Sequence, residues 1–366
     1  MTRSTLFALA AAGLVSAACS GRESKGTPDS AASSPSPASA SSGGVDLTGA
    51  GATFPYPIYQ KWIADYTAKT GIKINYQAIG SGGGIRQLTE GTVDFAGSDA
   101  PMTDDEMSKA KGGPILHIPT VLGAVVLTYN VPDLTQPLNL SGDVIADIFL
   151  GKITKWNDSR LASVNPGAKL PAKDILVVHR AEASGTTYIF SDYLTAVSPA
   201  WSSGPGKSKE LKWPIGLGGR GNDGVSGQVK QTPGTIGYVE LAYANQNKLP
   251  VARVKNAAGQ FVAPTIESIT AAAGGAADKL PPNTDYRVSI VNPPGGQAYP
   301  ISSFTWLLVY QRQADPAKGK KLVDFIRWAL TDGEGSAAAL DYAPLPQAVS
   351  KQLLDKLASI QAGTAS

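Results

Sequence analysis

Histidine and cysteine are nearly absent: 366 residues contain two of the first and one of the second. With a lone cysteine, Cys19, no intrachain disulfide can close, so apolar cores alone must hold the fold. His117 and His179 are too few for a histidine-rich metal centre, and no carboxylate pair has ligand spacing. Neither a metal nor any other cofactor is expected. A charge excess is also lacking. Lys and Arg number 32 against 29 Asp and Glu, a formal net charge of +3, and the basic residues are dispersed without an aromatic-interleaved stripe. That excludes nucleic acid as the partner and requires any anion site to be local.

What is abundant is Gly (40) and Pro (26), which predicts many short elements joined by tight turns. The length suffices for two domains, each with its own core. Residues 1–18 read as a secretory signal: Arg3 is the basic start, Leu6 to Val15 the apolar stretch, and small residues precede Cys19. The apolar stretch is too short to span a bilayer. The setting of Cys19 resembles a bacterial lipobox, with Ser16 where Leu is usual. Lipidation there would hold the protein to the membrane without inserting it. Residues 19–46, rich in Ser, Pro and Ala, cannot bury a core and read as a disordered tether.

The most informative stretch runs from Asp174 to Leu194. Ile175 to Val178 form a β-branched, apolar strand, and Phe190, Tyr193, Leu194 and Val197 fall on one face of a helix. Between them stand Arg180, Ser184, Gly185, Thr186 and Thr187. A turn of small residues entering a helix aims unpaired N–H groups and the positive end of the helix dipole at one point, with a guanidinium beside it. A small oxyanion fits there, although Ser184 or Thr186 could equally serve only as a helix cap.

Two further segments share the design. Tyr59, Trp62, Ile63 and Tyr66 define a helix from Pro55 to about Lys69, with Thr53 as its cap, and Ser81 with its glycines leads into a short helix carrying Ile85 and Leu88. Val93 to Gly97 read as a strand that ends at Asp99, where a functional carboxylate belongs in an open α/β sheet; Asp99 could equally cap a helix over TDDEM. ILHIPTVLGAVVLTYNV reads as two strands about a turn, residues 251–296 are loop-rich, and 301–310 form a strongly apolar strand. Alternating strands and helices indicate mainly parallel α/β sheets in two lobes.

GLGGRG at Gly216 to Gly221 matches a dinucleotide fingerprint but shows no clear strand and helix around it. Ser184 lacks the G-x-S-x-G elbow of a hydrolase. His179 and Arg180, adjacent on a strand, face opposite ways, so His179 is turned from the anion if Arg180 faces it.

GAGATFPYPIY, YQAIGSGGGIRQ, VDFAGSDAPM, DVIADIFLGKITKWND, RAEASGTT, WPIGLGGRGNDG and GTIGYVE, in that order, closely resemble the extracytoplasmic phosphate-binding proteins that feed the phosphate-specific ABC importer. The resemblance runs from about Leu47 to the C-terminus. It implies a two-lobed periplasmic binding protein of type II-like fold, with mainly parallel sheets flanked by helices and two crossover hinge strands. Residues 47–122 and 299–366 would form lobe I, and 123–298 lobe II. It implies a monomer, not an enzyme, held by its lipid anchor at the extracytoplasmic face of the membrane, with inorganic phosphate and the importer's permease subunits as partners. The ligand positions carried over are Thr53, Phe54 through its N–H, Ser81, Asp99, Arg180, Ser184, Gly185 and Thr186. Glu182 stands where the family usually has an aspartate paired with the arginine, and Ala183 where it has glycine. The alternatives are a receptor for another oxyanion such as sulfate, a phosphate-ester hydrolase, or a surface interaction lipoprotein.

Overall fold

The computed structural model describes residues 46–276, 280–281 and 284–362. Cys19, the signal segment and the tether up to residue 45 lie outside them. In chain order the elements are β1 (Leu47–Gly51), α1 (Tyr56–Thr70), β2 (Ile74–Ala78), α2 (Ser81–Glu90), β3 (Phe95–Ser98), α3 (Asp104–Ser108) and β4 (Ile115–Tyr129). There follow β5 (Asn139–Leu140), α4 (Gly142–Phe149), α5 (Ser159–Ser163), β6 (Leu176–Arg180), α6 (Gly185–Val197), α7 (Pro199–Ser202), β7 (Leu217–Gly219) and α8 (Gly221–Gln231). Next come β8 (Thr235–Glu240), α9 (Leu241–Gln246), β9 (Arg253–Lys255), β10 (Phe261–Val262) and α10 (Ile266–Gly274). The last are β11 (Ser302–Tyr310), β12 (Arg312–Gln313), α11 (Pro316–Ala329), α12 (Gln347–Leu357) and β13 (Gln361–Ala362).

Eight strands run in the order β2-β1-β3-β11-β4-β8-β6-β7. β1, β2 and β3 are parallel, as are β6, β7 and β8. The long strand β4 joins the two groups, because its residues 115–124 pair antiparallel with β11 and its residues 125–129 pair antiparallel with β8. The architecture is the two-lobed α/β one expected, with β4 as one crossover. The return crossover passes through Ile301, whose carbonyl accepts from the Val125 N–H at 2.9 Å, into β11.

Each half has its own aromatic core. Tyr59, Trp62, Tyr66, Tyr76, Phe95 and Phe325 pack around α1 in the first. Phe149, Phe190, Trp201, Trp213 and Tyr238 pack beneath β6 and β8 in the second. Large rings at helical spacing bury much apolar area for little side-chain entropy, which is why these helices were legible.

Several expectations need correction. Residues 115–129 are one strand, buried on both faces, and not a hairpin. Gly123 and Pro119 mimic turn signals, but Gly123 is present because the Phe54 ring lies where its Cβ would stand, 2.5 Å away. Thr53 does not cap α1; Pro55 takes that position and the Thr53 hydroxyl is used elsewhere. Asp99 caps nothing: Thr103 caps α3, forming a reciprocal capping box with Glu106. GLGGRG itself contains a strand, β7, and its last residue opens a helix, α8; the strand is only three residues and mostly glycine, so it carries no apolar pattern. The weakly patterned segment 251–296 contains β9, β10 and α10. His117 is packed, as expected: its Nε2 accepts from the Met102 N–H at 3.0 Å, and burial pushes its pKa down to about 4.

Candidate anion-binding site

The carboxyl ends of the parallel strands in both halves converge. Thr53 and Phe54 follow β1, Ser81 opens α2 after β2, and Asp99 follows β3. Arg180 ends β6, and Ser184 to Thr186 open α6. Such a position lets several helix N-termini point at one place. All eight predicted residues are buried, and they meet across the two halves. A Cβ added to Gly185 would stand 2.4 Å from Ser81 Oγ and 2.5 Å from Asp99 Oδ2, so only glycine permits α6 to come this close to the first half. The Gly82 N–H donates to the Ala183 carbonyl at 3.0 Å, tying the two edges together.

The polarity of the site is one-sided. The N–H groups of Phe54, Ser81, Gly185 and Thr186 find no acceptor among the described residues. Ser184 Oγ accepts from the Thr187 N–H at 3.2 Å, so it does cap α6, and its own proton remains to be donated. Ser81 Oγ likewise accepts from the Asp99 N–H at 3.2 Å. Arg180 is 3% exposed. Its Nη1 donates to Thr186 Oγ1 at 2.9 Å, while Nε and Nη2 both engage Glu182 Oε1, the first at 3.0 Å. Three of the five guanidinium N–H donors are thus committed and two remain. The same Glu182 oxygen accepts the Gly221 N–H at 3.1 Å, so the longer carboxylate does reach the arginine and also pins the start of α8.

Asp99 is the exception among these donors. Thr305 Oγ1 donates to its Oδ1 at 2.7 Å, and Oδ2 faces the start of α6. Burial raises its pKa to about 7, against the lowering effects of the Thr305 hydrogen bond, Arg180 and Ser81. His179 takes no part: its ring stacks on Trp213 with centroids 4.7 Å apart, on the other face of β6. His179 is therefore not placed to act as a base on Ser184.

Sequence reasoning missed the residues that brace the site. Asn222 Nδ2 donates to Thr53 Oγ1 at 2.8 Å and to Thr186 Oγ1 at 3.3 Å. The Tyr243 and Tyr342 hydroxyls donate to the carbonyls of Thr53 and Phe54, each at 2.6 Å. The Tyr238 hydroxyl meets Thr187 Oγ1 at 2.6 Å and accepts the Arg180 N–H at 3.1 Å. A signal existed for Asn222, since it follows a strand and small turn laid out like that before Ser184. For the tyrosines there was none.

The fold is that of a two-lobed binding protein with a buried candidate anion site between its halves, and residues 32–333 match the model of the PBP superfamily domain. The phosphate-binding protein PstS of Xylella fastidiosa (strain Temecula1) is 44% identical over 332 residues, covering 90% of each chain. PstS of Pasteurella multocida (strain Pm70) is 44% identical over 308 residues, covering 84% of this chain and 88% of that one. This chain belongs to the family of PstS phosphate-binding proteins. Among solved structures, that of a high affinity periplasmic phosphate-binding protein bound with phosphate at pH 8.5 is similar, with a TM-score of 0.68 and 25% identity over 84% of this chain and 93% of that one.

Proposed function

We propose that this chain binds inorganic phosphate with high affinity outside the cytoplasmic membrane and delivers it to the permease subunits of an ABC importer, acting as a receptor and not as an enzyme. The observation that carries the reading is one buried carboxylate, Asp99, set among donors. A ring of donors suits any oxyanion; one ionised acceptor within it suits only an oxyanion that brings a proton, as mono- and dihydrogen phosphate do. The phosphate contacts are Thr53, the Phe54 N–H, Ser81, Asp99, Arg180, Ser184, Gly185 and Thr186. Glu182 orients Arg180.

Lobe I comprises 47–122 with 299–366, and lobe II comprises 123–298. Support comes from β4, which changes partner between Ala124 and Val125, and from β11, which rejoins the first sheet at Ser302. Phosphate touching both lobes supplies the differential affinity that favours the closed state, which the importer reads. A signal peptide over 1–18 and a lipid on Cys19 would keep the monomer at the membrane surface through its tether. Among the described residues no helix is long and apolar enough to cross a membrane.

Calorimetric titration with phosphate and with sulfate, alongside an assay for phosphate release from a generic ester, tests the proposal. Tight phosphate binding without ester turnover is expected, and equal affinity for sulfate or rapid turnover would overturn it. Phosphate should also reduce the radius of gyration and alter the Trp and Tyr fluorescence; no change in either would remove the hinge account.

A further inference from the structure

We propose that Asn222 is a positioning residue that commits the hydroxyls of Thr53 and Thr186 to donate toward the bound anion, and that it does so for Thr53 only when the two halves of the protein meet. The inference rests on the phosphate reading above and deepens it.

A threonine hydroxyl has one proton and two lone pairs, so whatever occupies the lone pairs decides where the proton goes. Thr53 Oγ1 accepts from the Asn222 backbone N–H at 3.3 Å and from Asn222 Nδ2 at 2.8 Å. Thr186 Oγ1 accepts from Arg180 Nη1 at 2.9 Å and from the same Asn222 Nδ2 at 3.3 Å. With both lone pairs filled on each oxygen, each proton is left to point away from the nitrogen donors and into the site. The amide cannot be turned round. Its Oδ1 accepts the Glu240 backbone N–H at 3.0 Å, a group that can only donate, so Nδ2 must face the two threonines. Asn222, Thr53 and Thr186 are 0%, 3% and 0% exposed, so within the closed site little water competes for these bonds.

The two threonines belong to different parts of the sheet. Thr186 lies at the start of α6, in the same half as Asn222, whereas Thr53 follows β1 in the other half. Thr53 thus satisfies an N–H of the first turn of α8 across the boundary, having left its own helix α1 to Pro55. When the halves separate, both nitrogen donors leave Thr53 and its hydroxyl is free to turn. Closure then sets the direction of a ligand-binding donor as well as enclosing the ligand, which strengthens the coupling between binding and closure.

The test is a cycle of phosphate affinities measured by calorimetry for wild type, Thr53→Val, Asn222→Ala and the double variant, with the thermal midpoint of each ligand-free protein as a folding check. Thr53→Val is expected to weaken binding at least about tenfold in the wild type, because a hydroxyl donor to a charged acceptor is lost, and less than about threefold when Asn222 is already Ala. Asn222→Asp, which conserves shape but replaces donor by acceptor, should weaken binding more than Asn222→Ala does. A residue that only held the fold would give the reverse order. Should Asn222→Ala not fold, the same cycle is run with Asn222→Asp. A wild type that does not bind phosphate overturns the proposed function and this inference with it. Wild-type binding with Thr53→Val equally costly in both backgrounds overturns this inference alone.

Discussion

The exchange Asp99→Asn reverses one oxygen of the carboxyl from acceptor to potential donor while leaving its shape. In the wild type, Thr305 holds Oδ1 at 2.7 Å, and Oδ2 faces the donors at the start of α6. Ionised Asp99 takes the proton that phosphate offers; sulfate offers none and would leave a buried charge facing another. With Asn, phosphate keeps a carbonyl acceptor but loses the charge-assisted part of the contact, about 1 to 1.5 kcal/mol, or roughly tenfold in affinity. Sulfate is relieved of an unpaired, like-charged neighbour and can gain an N–H, a change of about 2 kcal/mol or more, or at least roughly 30-fold. The sulfate-to-phosphate affinity ratio should therefore rise by about 100-fold or more, measured by parallel calorimetric titrations at pH 8. The choice of pH matters because burial raises the Asp99 pKa to about 7. Protonated Asp99 is itself a donor, so wild-type discrimination against sulfate should weaken as pH falls through 7 and hold above it, while Asp99→Asn shows no such step in its sulfate affinity. A ratio unchanged by the substitution, with both variants folded, would refute the reasoning and assign the exclusion of sulfate to another group.

Arg180→Ala removes a buried charge-assisted contact and should weaken phosphate binding by about 100-fold or more, with Arg180→Lys restoring only part because an ammonium cannot reproduce the planar fork of the guanidinium; wild-type affinity in the Ala variant would remove Arg180 from the site. Glu182→Asp should shift affinity by less than about threefold, since a carboxylate remains for the guanidinium and water can reach this side chain, which is 20% exposed; a tenfold loss would show that the longer arm is required. Lys209 Nζ reaches Glu106 Oε1 on α3 at 2.6 Å, and its carbonyl holds the Ser184 N–H at 2.9 Å, so it links the second half to the first beside the site. Removing its side chain in Lys209→Ala should raise the phosphate dissociation rate about two- to fivefold, the worth of a partly exposed ion pair, and leave the association rate nearly unchanged. Stopped-flow fluorescence with an unaltered dissociation rate would show that this pair does not hold the closed form.

The sequence by itself determined the local features whose cause is local. A β-branched run followed by small residues and an apolar helical face could only be strand, turn and helix, and that order fixed the donors of Ser184 to Thr186 beside Arg180. Ordered motifs extended this to Thr53, Ser81 and Asp99, and the structure brings all of them together. Where local signals pointed two ways, tertiary structure chose. Gly123 reads as a turn until the Phe54 ring is seen to need its space, and β4 is continuous because each part of it finds a partner strand distant in sequence. Thr53 reads as a cap, but which helix it serves depends on a neighbour 169 residues away. The braces at Tyr243, Tyr342 and Thr305 left no trace in spacing or composition. A buried hydroxyl or amide acquires its direction from the donors and acceptors that folding sets around it, and those come from strands and helices far along the chain. Side-chain chemistry supplied the candidates for an anion site; the packing of two halves decided which atoms donate, which one accepts, and hence which anion fits.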